Sequence, residues 1–551
     1  MFGRLAATAL IGAAMTGAAA AEVGSPRKLS AGEVLTEAKQ NGLVVGPAIV
    51  DEDLDLGRLV GPTEGVAVVF QNVNFRGRLA GAPKVPLSVV EGSICALEAE
   101  RSEWSQPADF RAVKFGTARF REARLSAAWT CLECTICRAG FQGTRFGSEA
   151  TFIRTQFGQP GAEDICRERA PRTCAPTDFA EATFASAARF DHTTFRTAAS
   201  FDSADFAQGA RFPRTSASAS LSFIGTRFRH DAEFRDCRLA SVYFGPDGGS
   251  TTATTNEATE FATRADFRGC VFTGIVSFNG ATLGGDALFA RAVAAGPTFS
   301  LLDTSSARAL DLRGLVLSNP GAKLRLDAIA ADAVRLDWDE LGPAVLRAQG
   351  DLTPDQRASM LEALERRLSG QGDGEAARKV GFESKKERRA HRPLCEGEQP
   401  GACLVGEAEW WLWTLPTRNG SDPTWLVAGL LLLWGGMTLA SVGRGRVLVF
   451  PSANAGEEAP AIYDCVAGDQ APDGASCPIQ GRRLRIAAAY ATGLIFKLGA
   501  KRQRWASTSP RHRATASGML WAIWLLSWAL LILTAKVIVT AFPGLDFIRA
   551  G

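Results

Sequence analysis

Between residues 179 and 239 large apolar side chains recur at steps of five and six. Phe179, Phe184, Phe190, Phe195, Phe201, Phe206 and Phe212 open the series, Ala217 takes one place, and Phe223, Phe228, Phe234 and Leu239 continue it. A helix repeats every 3.6 residues and a strand every 2, so neither period fits. Two residues ahead of most of these centres stands a small side chain: Ala188, Ala199, Ala204, Ala210, Ala232, Ala265 and Ala281. The same rhythm runs upstream through Phe110, Phe115, Phe120, Leu125, Phe141, Phe146, Phe152 and Phe157. Downstream it passes through Phe261, Phe267, Phe272, Phe278, Leu283 and Phe289. Five residues make one short extended side and a corner, and four sides close a coil. Centre and small residue point inward, and the remaining positions face water, which is why Arg, Asp and Thr are accepted there. Each coil advances by one strand spacing, about 4.8 Å, so residues 110–289 make roughly eight coils over about 40 Å.

This pattern resembles the pentapeptide-repeat family, whose fold is a right-handed quadrilateral β-helix. ADFRAVKFGTARFREARL (108–125) fits the strict five-residue form, and residues 179–239 fit a Phe-rich variant in which every second side is one residue longer. The coil there is expected to hold about 22 residues, with the extra residue at a corner and Phe190 stacked near Phe212. A β-sandwich does not place Phe at odd spacings over sixty residues. The resemblance covers roughly 60–340 and speaks for fold more than for function. Some proteins of this family resemble DNA in shape and acidity and bind topoisomerases. Residues 107–300 here hold 22 basic and 20 acidic side chains, so that negative surface is missing.

The solenoid reads as residues 107–341, preceded by an N-terminal cap and irregular first coils (22–106). It is interrupted at 158–177 and at 245–259, the second a Gly/Thr-rich loop expected to be mobile. Residues 310–341 read as degenerate coils, with Leu326 and Leu336 ten apart. The period then changes. Thr353-Pro354 is a helix start, and Met360, Leu361, Leu364 and Leu368 form one apolar stripe. After SGQGDG a second, basic helix is expected at 375–392, so that 352–392 forms a helical linker, followed by a juxtamembrane segment at 393–423.

Two uncharged or nearly uncharged runs are long enough to cross a bilayer: 424–443, and 519–542 with Lys536 near its end. Trp410, Trp411 and Trp413 stand before the first, where an aromatic belt belongs. Met1–Ala21 has Arg4, an apolar run and Ala19-Ala20-Ala21, the build of a cleavable secretory signal. The segment 444–518 carries 11 Lys/Arg against 5 Asp/Glu, whereas the 24 residues before the first span carry one Arg and three acids. Positive-inside orientation therefore agrees with an exported N-terminal region and a cytoplasmic loop. Within that loop 486–499 reads as an interfacial or re-entrant helix, too short to span.

Export puts the solenoid in an oxidising compartment. Cys166 with Cys174, and Cys395 with Cys403, have matching spacings in loops and are read as local disulfides. Cys465 and Cys477 look like a third loop pair but fall on the reducing side. CLECTIC places Cys131, Cys134 and Cys137 at C-x2-C-x2-C without a fourth ligand at a metal-site spacing. Cysteine there serves as a small inward residue, as Cys237 and Cys270 do, or else two of the three thiols are bonded to each other. The chain has four histidines, no nucleophile elbow, no HExxH and no phosphate-cradling loop. No catalytic residue, cofactor or metal is therefore expected, and nucleic acid is not an expected partner. The region 410–542 weakly resembles two-span cation channels, but Lys497-Leu498-Gly499 stands where a filter would lie. The expectation is a bacterial inner-membrane protein whose β-helix lies on the periplasmic side. It would act without catalysis as a scaffold or sensor, with the lipid bilayer and a protein partner or second copies as its partners. The alternative is an oligomeric two-span ion channel or transport element with the β-helix as its outer domain.

Overall fold

The computed structural model describes residues 25–391, except 64, 160–165, 167–172, 247–257, 327–328 and 351, with short pieces at 431–432, 434–435, 448–449 and 504–505. Two units divide at Ala376 and Ala377. The first contains a parallel β-solenoid that begins at Arg27 and ends at Arg335. In one column of strands, each hydrogen-bonded to the strand one coil later, thirteen stations follow one another from Arg27–Leu29 to Val316–Leu317. Eight of the coils account for the stretch expected from the Phe rhythm, from Ala108 to Ala287. The others extend into 27–106 and beyond 300.

The register explains the alternating steps. Phe190 lies over Phe212, with ring centroids 4.8 Å apart and planes 2° from parallel. From Ala188 to Ala210 to Ala232 the coil is 22 residues, made of two five-residue and two six-residue sides. Residues 108–157 repeat instead at 21. The strict five-residue form read at 108–125 would give 20. The side from Leu125 to Cys131 holds one residue more than the others, and that sets the difference.

Five- and six-residue sides turn differently. After Phe190 the chain makes a tight turn in which the Thr193 amide donates to the Phe190 carbonyl (3.2 Å) and His192 takes φ +57°. The same left-handed position recurs at Glu181, Ser203, Arg214, Gly225 and Asp236, eleven residues apart. A β-turn whose third residue has positive φ reverses direction in the fewest residues. Six-residue sides bend more openly, at 196–198 for example, with no such residue, and the extra residue lies in that bend.

Inside, the rings form ladders. Phe141, Phe179, Phe201, Phe223, Phe244 and Phe278 make one column with centroid steps of 4.7, 4.8, 5.0, 5.1 and 4.6 Å. Phe152, Phe190, Phe212, Phe234, Phe267 and Phe289 make another, and Phe146, Phe184, Phe206, Phe228 and Phe261 a third. The strand spacing sets these steps. The first two columns meet across the axis edge to face, as Phe190 does on Phe179 (88°) and Phe201 (90°). That geometry places ring edges on ring faces, the favoured quadrupole arrangement. In the fourth column Ala217 replaces a ring between Phe195 and Leu239.

The small inward residue is often threonine, and its buried hydroxyl has a fixed use. Thr193, Thr215, Thr226 and Thr304 each donate to the carbonyl of a phenylalanine one coil back: Phe152, Phe190 (2.8 Å), Phe201 (2.7 Å) and Phe278 (2.9 Å). A hydroxyl buried here without that bond would carry its desolvation cost unopposed.

Both ends are covered. Helix α1 (Ala31–Asn41) starts at a capping box between Ser30 and Glu33, ends at the left-handed Gly42, and buries Val34 and Ala38. It packs on the strand Leu43–Val50. At the other end α2 (Trp338–Ala348) packs on Lys323–Arg325, and α3 (Pro354–Gly370) packs on Ala330–Arg335. Residues 338–341, read as the end of the degenerate coils, belong to α2. Asp337 caps its first turn, and Trp338, Leu341, Ala344, Val345 and Ala348 form the buried stripe. Thr353 and Pro354 start α3 as expected, and Leu361, Leu364 and Leu368 are buried. A further helix, α4, runs from Gly374 to His391.

Among the described residues no helix is long and apolar enough to cross a membrane. Met1–Ala21, the candidate span 519–542 and nearly all of 424–443 lie outside the described residues.

Candidate functional site: a stapled corner on a charge-paired solenoid

The thirteen phenylalanines singled out in the sequence (179, 184, 190, 195, 201, 206, 212, 223, 228, 234, 267, 272 and 278) are all buried in the solenoid core. Chemistry, if any, must therefore be sought on the faces and corners. One corner differs from the rest. Ile94, Phe115 and Ile136 share a register, so the residues that follow them, Cys95, Gly116 and Cys137, fall in line over three coils. Cys95 is bonded to Cys166 and Cys137 to Cys174. The insert that leaves after Phe157 is thus fastened back along this corner at two points.

Gly116 stands between the two fastenings because nothing larger fits. A Cβ there would lie 2.5 Å from the Cys95 carbonyl oxygen and 3.3 Å from the Cys166 Sγ. The far end of the insert is held as well. Arg138 donates to the Thr173 carbonyl (3.4 Å) and the Thr197 hydroxyl to that of Ala175 (3.2 Å).

This pairing corrects the sequence reading, in which Cys166 and Cys174 bonded to each other. Each instead reaches a different coil. The reason is the coil period: Cys95 and Cys137 are 42 residues apart, two coils of 21, and so present two sulfurs on one corner. That spacing was visible in the sequence once the period was known. Two further bonds lie in the core, Cys131–Cys134 and Cys237–Cys270, the latter joining adjacent coils at the small inward position. All three cysteines of CLECTIC are therefore bonded. Cys395, Cys403, Cys465 and Cys477 lie outside the described residues. Among the described residues no group of three or more His, Cys, Asp or Glu is placed to hold a metal ion.

Charge on the faces is paired along the solenoid axis. On one face Arg211 meets Glu233 (3.2 Å), Arg235 meets Asp266 (2.7 Å), and Arg268 meets the same carboxylate (2.7 Å). Nearer the N-terminus, Asp53, Arg78, Glu98 and Arg119 form a ladder across successive coils. Asp266 is nearly inaccessible, at 1% exposure. Burial disfavours its charged form, yet hydrogen bonds from Arg268 and Arg235 outweigh it and hold the carboxyl below its ordinary range. Asp178 goes the other way. Burial raises it, and the charges of Asp202 and Glu181 add to the rise.

Comparison with family models, curated proteins and solved structures gives no match. The solenoid itself, about 13 turns with stacked phenylalanines, is compatible with the pentapeptide-repeat fold. Several of its outward charges are paired between neighbouring coils, and its interior is lined with rings.

Proposed function

We propose that this chain is a membrane-anchored pentapeptide-repeat protein of the bacterial cell envelope. Its solenoid lies on the periplasmic side and acts without catalysis as an interaction scaffold or sensor. The observation that carries the reading is the disulfide framework: eight of the 12 cysteines join in four bonds within the solenoid, and such bonds persist in oxidising compartments. That supports the secretory signal read in Met1–Ala21. The apolar runs at 424–443 and 519–542 supply the anchor, and the basic segment between them faces the cytoplasm. The bilayer and a protein partner or second copies of the chain are the proposed partners. Nucleic acid is not, because the outward charges are balanced.

Fractionation tests this directly. The full chain should stay in membranes washed with alkaline carbonate, and external protease should digest its solenoid in intact spheroplasts. A chain lacking 424–443 and 519–542 should be recovered as a soluble periplasmic protein. Recovery of the full chain in the soluble fraction would defeat the anchor. Solenoid protection in spheroplasts together with cleavage in inverted vesicles would defeat the orientation. Single-channel conductance of the purified chain in planar bilayers would favour a transport element over a scaffold.

A further inference from the structure

The four disulfides fall into two groups. Cys131, Cys134, Cys237 and Cys270 are at most 1% exposed and sit among the core rings. The other two bonds lie at the surface: Cys95, Cys166 and Cys174 are half-buried, and Cys137 is reached through its partner. Each surface bond joins one residue of a solenoid strand, Cys95 in Ser93–Glu98 or Cys137 in Thr135–Gly140, to the insert, and neither joins one coil to the next. Strands Ser93–Glu98, Lys114–Arg119 and Thr135–Gly140 are already hydrogen-bonded to one another through their backbones.

We propose that Cys95–Cys166 and Cys137–Cys174 form a redox-labile staple, opened by a dithiol reductant while the solenoid stays folded. A thiolate must approach a disulfide sulfur along a clear path, so exposed bonds exchange first and buried ones resist. One thiolate of the dithiol attacks a cystine sulfur, forms a mixed disulfide and displaces the partner cysteine as a thiolate. The second thiolate then closes on the mixed disulfide and displaces the remaining cysteine. The dithiol is oxidised to a cyclic disulfide, and two electrons and two protons end on the pair of cysteines. The core keeps its ladder and its two inner bonds. What changes is the corner: the Cys166 sulfur that covers Gly116 is freed, and the surface formed by Cys95, Gly116 and Cys137 becomes accessible. The staple makes one corner of a contact surface dependent on redox state.

The test uses the full chain purified without reductant, its free thiols blocked with iodoacetamide. Graded dithiothreitol is followed by a second, isotopically heavy alkylation and mass spectrometry. Cys95, Cys137, Cys166 and Cys174 should be labelled at reductant concentrations about tenfold below those needed for Cys131, Cys134, Cys237 and Cys270. The far-UV circular dichroism should be unchanged at the first step, and amide exchange should rise at Thr173–Ala175 with the Phe columns still protected. Simultaneous labelling of all eight with loss of the β signal would overturn the proposal, as would labelling of the inner pairs first. A Cys166→Ser/Cys174→Ser chain supplies an independent reading. It should fold with the parent spectrum, and its failure to fold would make the staple structural and end the claim.

Discussion

His192, Glu181, Ser203 and Arg214 hold left-handed backbone at φ +57°, +59°, +56° and +54°, a conformation that costs a side-chain-bearing residue about 1–2 kcal/mol. The fold accepts that cost because each five-residue side needs such a turn to bring the next phenylalanine inward. Where glycine occupies the position the cost is absent. Gly280, at φ +67°, has open space where a Cβ would be. Gly280→Val should therefore lower stability by about 1–2 kcal/mol through backbone strain alone, read by urea unfolding. Asp266 gives a pH-dependent counterpart. Its carboxyl is held below the unfolded aspartate value, about 3.9, so its contribution is complete above that value and disappears as pH falls through the folded one. Asp266→Asn should cost about 2 kcal/mol at pH 7, and the gap to the parent should close below about pH 4. A gap independent of pH would mean that packing and not charge carries the effect. At this scale the phenylalanines and their alanines were legible, because a large ring every five or six residues suits neither a helix nor a flat sheet. The inward threonines were not. Thr215 looks like any polar loop residue until the Phe190 carbonyl one coil back is placed beside it.

Among the elements, the ring columns and the end caps divide the work. Phe212 sits between Phe190 and Phe234 and meets Phe201 and Phe223 edge-on. Phe212→Ala leaves a void that two-residue strands cannot close by shifting, and should cost about 3–5 kcal/mol in thermal or chemical unfolding. A loss below about 1 kcal/mol would mean that the columns adjust freely. The caps serve another purpose. A parallel solenoid ends in unpaired strand edges that would recruit another chain. Helices α1, α2 and α3 cover these edges. A chain lacking 338–370 should associate end to end in light scattering at concentrations where the full chain does not. Of these helices α3 was readable from Thr353-Pro354 and its leucine stripe. Helices α1 and α2 were not: α1 shows only Val34 and Ala38 as its buried stripe, and in α2 the ten-residue step from Leu326 to Leu336 masked a helical stripe beginning at Trp338. Local propensity gives way there to the need to close the end of a core. The disulfide staple was illegible for a related reason: pairing depends on which coils an insert crosses, and that is known only once the period is 21.

At the scale of the whole molecule the solenoid and its disulfides are compatible with the exported, membrane-held scaffold we propose. Orientation matters most to that proposal, because it would give the solenoid oxidising surroundings and leave Cys465 and Cys477 in reducing ones. Paired reporter fusions of alkaline phosphatase and green fluorescent protein at Ala455 and at the C-terminus measure it directly. With the solenoid outside, the Ala455 fusion should fluoresce without phosphatase activity, and the C-terminal fusion should show phosphatase activity without fluorescence. Phosphatase activity at Ala455 with fluorescence at the C-terminus would place the loop outside and contradict the exported solenoid.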